Sequence, residues 1–477
     1  MYGQVLALAS LASTSALVNA VAIEPKFYTN DISRVGSQKD IYQFLYGSAP
    51  YFSYPFNTSI PVDIPEQCEM VQVHVYARHG ERYPTASTAK GIEKVWYKFG
   101  NYTEKFSGSL SFLNDEYQFP FANASNWGLL TTPDNVVNPY NPLLGSLTGS
   151  SHGEEFRERY SKLLDAHPNF TIWTSNSNRV HATSEFFIQG LGDDYHVNLE
   201  TISENGTMGA NSLTPISACV NWDWNTAKDK NISSTFSTQY LTDISKRLNT
   251  ANPGLNITNS ETYNLFDWCA FEIDTRGYSD ICDIFTEDEL INYSYYGDLI
   301  TYYDEFIGNK LAVAVGSVPT NATLTLLNTP EDELDQTVFV SFTHDTHLLQ
   351  YMAGVGLFSE GKPLTGKSVD FHNEFKRSFL VQLGARVYTQ KFNCKSASNT
   401  TESFVRYVVN DVVQPLDDCH NGPGFSCSLP DYNTYLKNRF EGVDFFSQCG
   451  VSQVSNTSEL TFYWDYKTKN YDAPLII

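Results

Sequence analysis

The sequence predicts an α/β protein: a three-layer domain around a central mixed sheet, with a smaller, mostly α-helical domain inserted in it. Two observations carry this expectation. Three apolar strand patterns each run into charged or polar residues and then into a helical pattern, the order that lays helices against a sheet and puts a site at the strands' carboxyl ends. A stretch from about 205 to 330 has a different, helical texture.

In the first strand pattern Val71, Val73, Val75 and Ala77 alternate with Gln72, His74 and Tyr76, and the strand runs straight into RHGERYP. Period-two alternation is the strand signal. In the second, Phe170, Ile172 and Thr174 lead to SNSNRVH and then to a helix through Phe186, Phe187 and Leu191. Just before it, Phe156, Tyr160, Leu163 and Leu164 share one face of an amphipathic helix. The third pattern, TVFVSFTHD, is almost wholly apolar until His344, as a strand covered on both faces requires, and HLLQYMAGVG reads as the helix after it. The segments TQYLTDISKRLN, DIFTEDELINYSYYGDLITYYDEF and TNATLTLLN read as helices of the insertion. The expected division is a signal peptide at 1–20, a discontinuous α/β domain at 21–204 and 331–477, and the inserted domain at 205–330.

At 477 residues the chain is long for a single core, which agrees with two lobes. The formal net charge of −23 repels nucleic acid and anionic lipid, which excludes both as partners. It also repels phosphorylated substrates near neutrality, so an enzyme for such substrates should work in acid, where carboxylates lose charge. The segment from Val5 to Ala22 is uncharged and rich in small residues, and Val18 and Ala20 have the spacing of a signal-peptidase site. Its interleaved Ser, Thr and Asn make it a weak membrane span. Eleven N-x-S/T sequons, at Asn57, Asn101, Asn123, Asn169, Asn205, Asn231, Asn256, Asn292, Asn321, Asn399 and Asn456, are expected to carry N-linked glycans. The eight cysteines contain no CxxC pair, so they read as disulfides of a secreted chain rather than zinc ligands. The expected location is extracellular, periplasmic or in the cell-wall space. A homo-oligomer is compatible with the sequence, which does not specify one.

The densest chemistry is Arg78-His79-Gly80-Glu81-Arg82-Tyr83-Pro84. Guanidinium groups beside a histidine call for an anion, and a phosphate satisfies them through bidentate hydrogen bonds. An imidazole with one neutral nitrogen can then attack phosphorus. An isolated RHG tripeptide would more often be a solvated turn; the longer string changes that balance.

RHGERYP, together with His344-Asp345 after an apolar strand, resembles the histidine acid phosphatase branch of the histidine phosphatase superfamily, whose signature is RHGxRxP. Stretches such as SLSFLND, GYSDICDIFT, GPGFSC and ELTFYWD are most like fungal acid phosphatases and phytases, notably the secreted ones of yeasts. The resemblance runs from about Ile41 to the carboxyl terminus. It implies His79 as nucleophile and Asp345 as the acid that protonates the leaving alcohol. It implies Arg78, Arg82, Arg179 and His344 as phosphate ligands. No metal or other cofactor is implied, and the expected partners are small phosphate monoesters, phytate among them. It also implies the pairs Cys68–Cys394, Cys219–Cys449, Cys269–Cys282 and Cys419–Cys427. Against this stand two other readings: a phosphoglycerate-mutase-like transferase, which shares an RHG histidine, and a secreted glycoprotein on an inactive phosphatase fold. His181 reads as a structural residue, His347 as a poor metal ligand, and neither His74 nor Glu81 is given a role.

Overall fold

The computed structural model describes residues 34–54, 60–208, 211, 213–396, 399–456, 462–465 and 471–477. The expected signal peptide and Asn57 lie outside them. The other ten sequon asparagines are exposed except Asn292, which is half-buried.

The chain is an α/β protein built on one mixed sheet of eight strands in the order β3-β2-β4-β1-β5-β6-β7, with β8 beside β6. The strands are β1 (Cys68–Arg78), β2 (Asn169–Ser175), β3 (His196–Ile202), β4 (Val338–Thr343), β5 (Arg386–Lys395), β6 (Thr401–Val409), β7 (Val412–Gln414) and β8 (Cys427–Ser428). The four strands from β3 to β1 run parallel, whereas β5, β6 and β7 pair antiparallel. Parallel neighbours need crossover connections, which put helices on both faces. Those before β3 are α1 (Ala86–Gly100), α2 (Gly145–Ala166) and α3 (Asn178–Leu191). Between β3 and β4 the chain is helical: one-turn α4 (Thr226–Asp229) and α5 (Ile232–Thr235), then α6 (Gln239–Ala251), α7 (Asn259–Arg276), α8 (Glu287–Asp304) and α9 (Ala312–Asn328). Thr258 with Glu261 and Thr286 with Glu289 form capping boxes that satisfy the first amides of α7 and α8. After β4 comes α10 (Asp345–Val355).

Both faces of β1 are buried from Gln72 onward. Val73, Val75 and Ala77 pack with Phe156 of α2 and Phe187 of α3. On the other face His74 stacks on Phe339 at 4.6 Å and Tyr76 on Tyr351 at 4.7 Å. The polar half of the alternation is therefore a second core face. Gln72 and His74 bond each other there at 2.8 Å, and burial pushes the His74 imidazole down to about 3. Cys68 and Cys394 face each other across β1 and β5 and are disulfide-bonded, which ties the strand leading to RHGERYP to the chain beyond the His344-Asp345 pair. The other disulfides are Cys219–Cys449, Cys269–Cys282 and Cys419–Cys427. Among the described residues, no helix is long and apolar enough to cross a membrane.

This topology positions the site. Because β1, β2, β3 and β4 are parallel, their carboxyl ends share one edge of the sheet. Arg78 pairs with Thr343 in register, and the amide of His79 donates to the Thr343 carbonyl at 3.3 Å. The residues just past β1 and β4, His79 and His344, thus emerge side by side.

Candidate active site

His79 follows β1 in a turn that only a glycine can continue. A Cβ on Gly80 would come within 2.7 Å of the Gly145 carbonyl at the start of α2. The imidazole is 1% exposed. Its Nδ1 lies 2.9 Å from the Gly80 carbonyl, an acceptor, so Nδ1 carries the hydrogen. Nε2 is then the lone-pair nitrogen, and it accepts from Arg179 Nε–H at 3.2 Å. Burial, then the charges of Arg179, Arg78, Arg82 and His344, hold this imidazole well below the usual histidine range. A neutral ring with its lone pair turned toward a guanidinium is the form a nucleophile needs.

Cations surround that nitrogen. Arg179 enters from the first turn of α3, and its Nη2 is 3.4 Å from His344 Nδ1. The rings of His79 and His344 meet edge to face at 5.6 Å. Arg78 is buried and held from behind: Nη1 donates to the Gly47 carbonyl at 2.6 Å and also to the Val381 carbonyl, while Nη2 lies 3.0 Å from Asp345 Oδ2. Arg82 lies over the Phe271 ring at 5.2 Å and donates to the Tyr83 carbonyl at 2.8 Å. Burial lowers Arg78 to about 10 and Arg82 to about 9, so both remain cations in acid. The structure thus brings together all six residues singled out in the sequence.

Asp345, the first residue of α10, sits between two arginines. Its Oδ2 accepts from Arg377 Nη2 at 2.6 Å as well as facing Arg78. Burial raises the carboxyl, but Arg78, Arg377 and the Arg377 hydrogen bond outweigh it and hold Asp345 well below the usual carboxylate range. Between these two guanidinium groups the carboxyl favours its ionised form.

Two residues of the site were not found in the sequence. Arg377 lies over the Tyr46 ring at 4.2 Å and bonds Thr301 Oγ1 at 2.9 Å. A Cβ on Gly47 would come within 2.6 Å of Arg377 Nε, so a larger residue there would displace this guanidinium. Glu204, in the turn after β3, faces His344 Nε2 at 2.7 Å. Of the residues set aside, Glu81 is buried, taking hydrogen bonds from the Tyr51 amide at 2.8 Å and the Thr148 hydroxyl at 2.6 Å. His347 is buried with Nδ1 3.4 Å from Gln350 Oε1, and His181 faces Glu185 at 3.5 Å.

The Arg377 amide donates to Asp298 Oδ1 at 2.8 Å, and burial pushes that carboxyl up to about 7. The unfolded chain releases this proton near 3.8, whereas the folded chain keeps it to about 7. Between these values the folded state binds more protons, so Asp298 erodes stability as pH rises from about 4 to 7. Asp298→Asn keeps the acceptor and removes the titration. Its urea-unfolding free energy should gain on wild type by at most about 1.4 kcal/mol per pH unit across that window and by nothing further above it. A pH-independent difference would contradict the assignment.

A cluster of arginines around a neutral histidine, at the carboxyl edge of a mixed sheet, is the arrangement of an α/β protein suited to an anionic ligand. Residues 69–410 match the model of the histidine phosphatase superfamily (branch 2), and the chain belongs to that family. A repressible acid phosphatase of Saccharomyces cerevisiae is 45% identical over 463 residues, 97% of each chain. A phytase of Candida albicans is 44% identical over 447 residues, covering 92% of this chain and 93% of the relative. The crystal structure of the phytase from D. castellii superposes with a TM-score of 0.86 at 40% identity, covering 91% of this chain and 93% of the other.

Proposed function

We propose that this protein is a secreted acid phosphatase that hydrolyses phosphate monoesters, phytate among them, to alcohol and inorganic phosphate through a phosphohistidine. The observation that carries the reading is the orientation of His79: Nδ1–H is tied to the Gly80 carbonyl and the Nε2 lone pair is turned toward Arg179. Relatives named acid phosphatase and phytase, spanning nearly the whole chain, support the substrate class.

The residues assign the steps. Arg78, Arg82, Arg179 and His344 bind the phosphoryl oxygens and stabilise the charge that spreads over them in the transition state. His79 Nε2 attacks phosphorus as the ester P–O bond breaks, and Asp345 gives its proton to the departing alkoxide. Water then attacks the phosphohistidine while Asp345 takes its proton, the P–Nε2 bond breaks with its electron pair returning to His79 Nε2, and phosphate leaves. A bound phosphate shares the charge of Arg78, the largest electrostatic influence holding Asp345 ionised. Substrate binding thereby raises the Asp345 carboxyl toward its acid form, and acid conditions favour the same state. The uncharged segment near the amino terminus, the sequons and the four disulfides support an extracellular location.

The test is release of inorganic phosphate at about pH 4–5, where carboxylates titrate, from p-nitrophenyl phosphate, glycerophosphate and phytate. Turnover of all three is expected. Transfer of the phosphoryl group between acceptors with no net phosphate release would contradict the hydrolase reading, and inertness toward all three would overturn it.

A further inference from the structure

We infer that Glu204 is a positioning residue that keeps His344 cationic when phosphate occupies the site, and so couples phosphate binding to proton uptake. The inference rests on the phosphate-binding reading of the site and goes beyond it by assigning a function to a carboxylate that touches no reacting atom.

The hydrogen-bond directions around His344 carry it. Glu204 Oε1 lies 2.7 Å from His344 Nε2, and an ionised carboxylate can only accept, so Nε2 bears a hydrogen. The ring's other nitrogen, Nδ1, lies 3.4 Å from Arg179 Nη2, a group that can only donate. In this arrangement Nδ1 can therefore offer its lone pair to Arg179, and the ring can be neutral. A phosphate oxygen held by Arg179 reverses the demand at Nδ1, because an acceptor now faces it. His344 then meets both neighbours only with hydrogens on both nitrogens, as an imidazolium.

What faces the ring decides whether that charge is tolerated. Arg179 comes from α3, the His79 ring stands 5.6 Å away beyond β1, and the His347 ring stands 6.1 Å away on α10. Asp345, the next residue in the chain, is engaged by Arg78 and Arg377. Burial pushes His347 down to about 4, so it adds no positive charge at higher pH. Glu204 is the carboxylate in contact with His344. Burial alone would raise its carboxyl, but the hydrogen bond of His344 and the charge of that ring as an imidazolium bring it down to about 2.

Glu204 is also held in place. Its amide donates to Asn176 Oδ1 at 3.0 Å, and Asn176 Nδ2 donates to the Pro474 carbonyl at 2.7 Å. The Ile476 amide donates to the Asn176 carbonyl at 2.8 Å, and the Asn178 amide donates to the Ile476 carbonyl at 2.7 Å, one residue before Arg179. One network thus fixes both the carboxylate behind His344 and the loop that presents Arg179.

Glu204→Gln keeps the shape and removes the charge. Imidazoles ordinarily lose their proton between about pH 5 and 8, and a carboxylate partner extends the cationic range upward. Binding of inorganic phosphate should be measured by calorimetry at several pH values from acid to neutral, in paired buffers of different ionisation enthalpy. Phosphate's own titration is common to both proteins and cancels in the comparison. E204Q is expected to bind phosphate about 10–100-fold more weakly near neutrality, the scale seen when a metal-binding histidine loses the carboxylate behind it. The deficit should shrink toward pH 4, proton uptake on binding should fall, and Glu204→Asp should recover part of both. Equal affinity and proton uptake in E204Q and wild type would overturn the inference, and so would a deficit of the same size at every pH, which marks a merely structural role. Failure of the wild type itself to bind phosphate would instead overturn the phosphatase reading on which the inference stands.

Discussion

Replacing His79 with alanine is expected to lower kcat by about 10⁴–10⁶-fold on every phosphate ester, the scale of losing a covalent nucleophile. The fold should survive. The imidazole's bonds are to Gly80 next to it and to Arg179, and its removal relieves a ring that burial and three arginines keep uncharged. Thermal unfolding and circular dichroism check the fold, and steady-state kinetics check the rate. Inorganic phosphate should still bind H79A, because Arg78, Arg82, Arg179 and His344 remain. Retention of even a tenth of wild-type turnover in a folded variant would exclude His79 as the attacking group.

The second large effect concerns Asp345 and depends on the leaving group. An alkoxide from glycerophosphate or phytate is a poor leaving anion and needs a proton as the P–O bond breaks; a nitrophenolate leaves well without one. Asp345→Asn has the shape of the acid but cannot deliver the proton. Its kcat/KM on alcohol esters should fall about 10²–10⁴-fold, the usual worth of a positioned acid. The loss on p-nitrophenyl phosphate should be much smaller. The geometry adds a second signature. Asp345 Oδ2 faces Arg78 Nη2 at 3.0 Å and Arg377 Nη2 at 2.6 Å, so a neutral asparagine leaves two guanidinium charges with less compensation. Inorganic phosphate should then inhibit D345N more strongly than wild type. Equal losses on both classes of ester would mean that Asp345 acts through charge alone.

Much of this site could be read from the sequence because its parts are contiguous with strong local signals. RHGERYP follows an alternating strand, His344-Asp345 follows a buried one, and Arg179 lies in the first turn of the helix after the second strand pattern, β2. Each is a strand-end residue, and parallel pairing alone brings those ends together. Glu204 and Arg377 escaped notice because their partners are remote in the chain. Glu204 meets His344 across 140 positions, and Arg377 reaches Asp345 from a one-turn helix with no periodic signal. The antiparallel half of the sheet also went unread, although RVYTQKFNCK and TESFVRYVV are rich in β-branched and aromatic residues around a polar loop. Charged residues such as Lys391 and Arg406 mask those strands. Both are buried, and Arg406 is satisfied by Gln390 Oε1 and by the Val62 carbonyl at 2.6 Å, contacts no local pattern announces.

The most direct measurement of the mechanism is a rapid-mixing experiment with a phosphate ester carrying a radiolabelled phosphoryl group. The quench must be neutral or alkaline, since a phosphohistidine is lost in acid, and the labelled peptide is then identified. Label on His79, appearing before the first turnover is complete and absent from H79A, is the expected result. Label on a serine or an aspartate, or turnover with no labelled protein at any time, would contradict a histidine nucleophile.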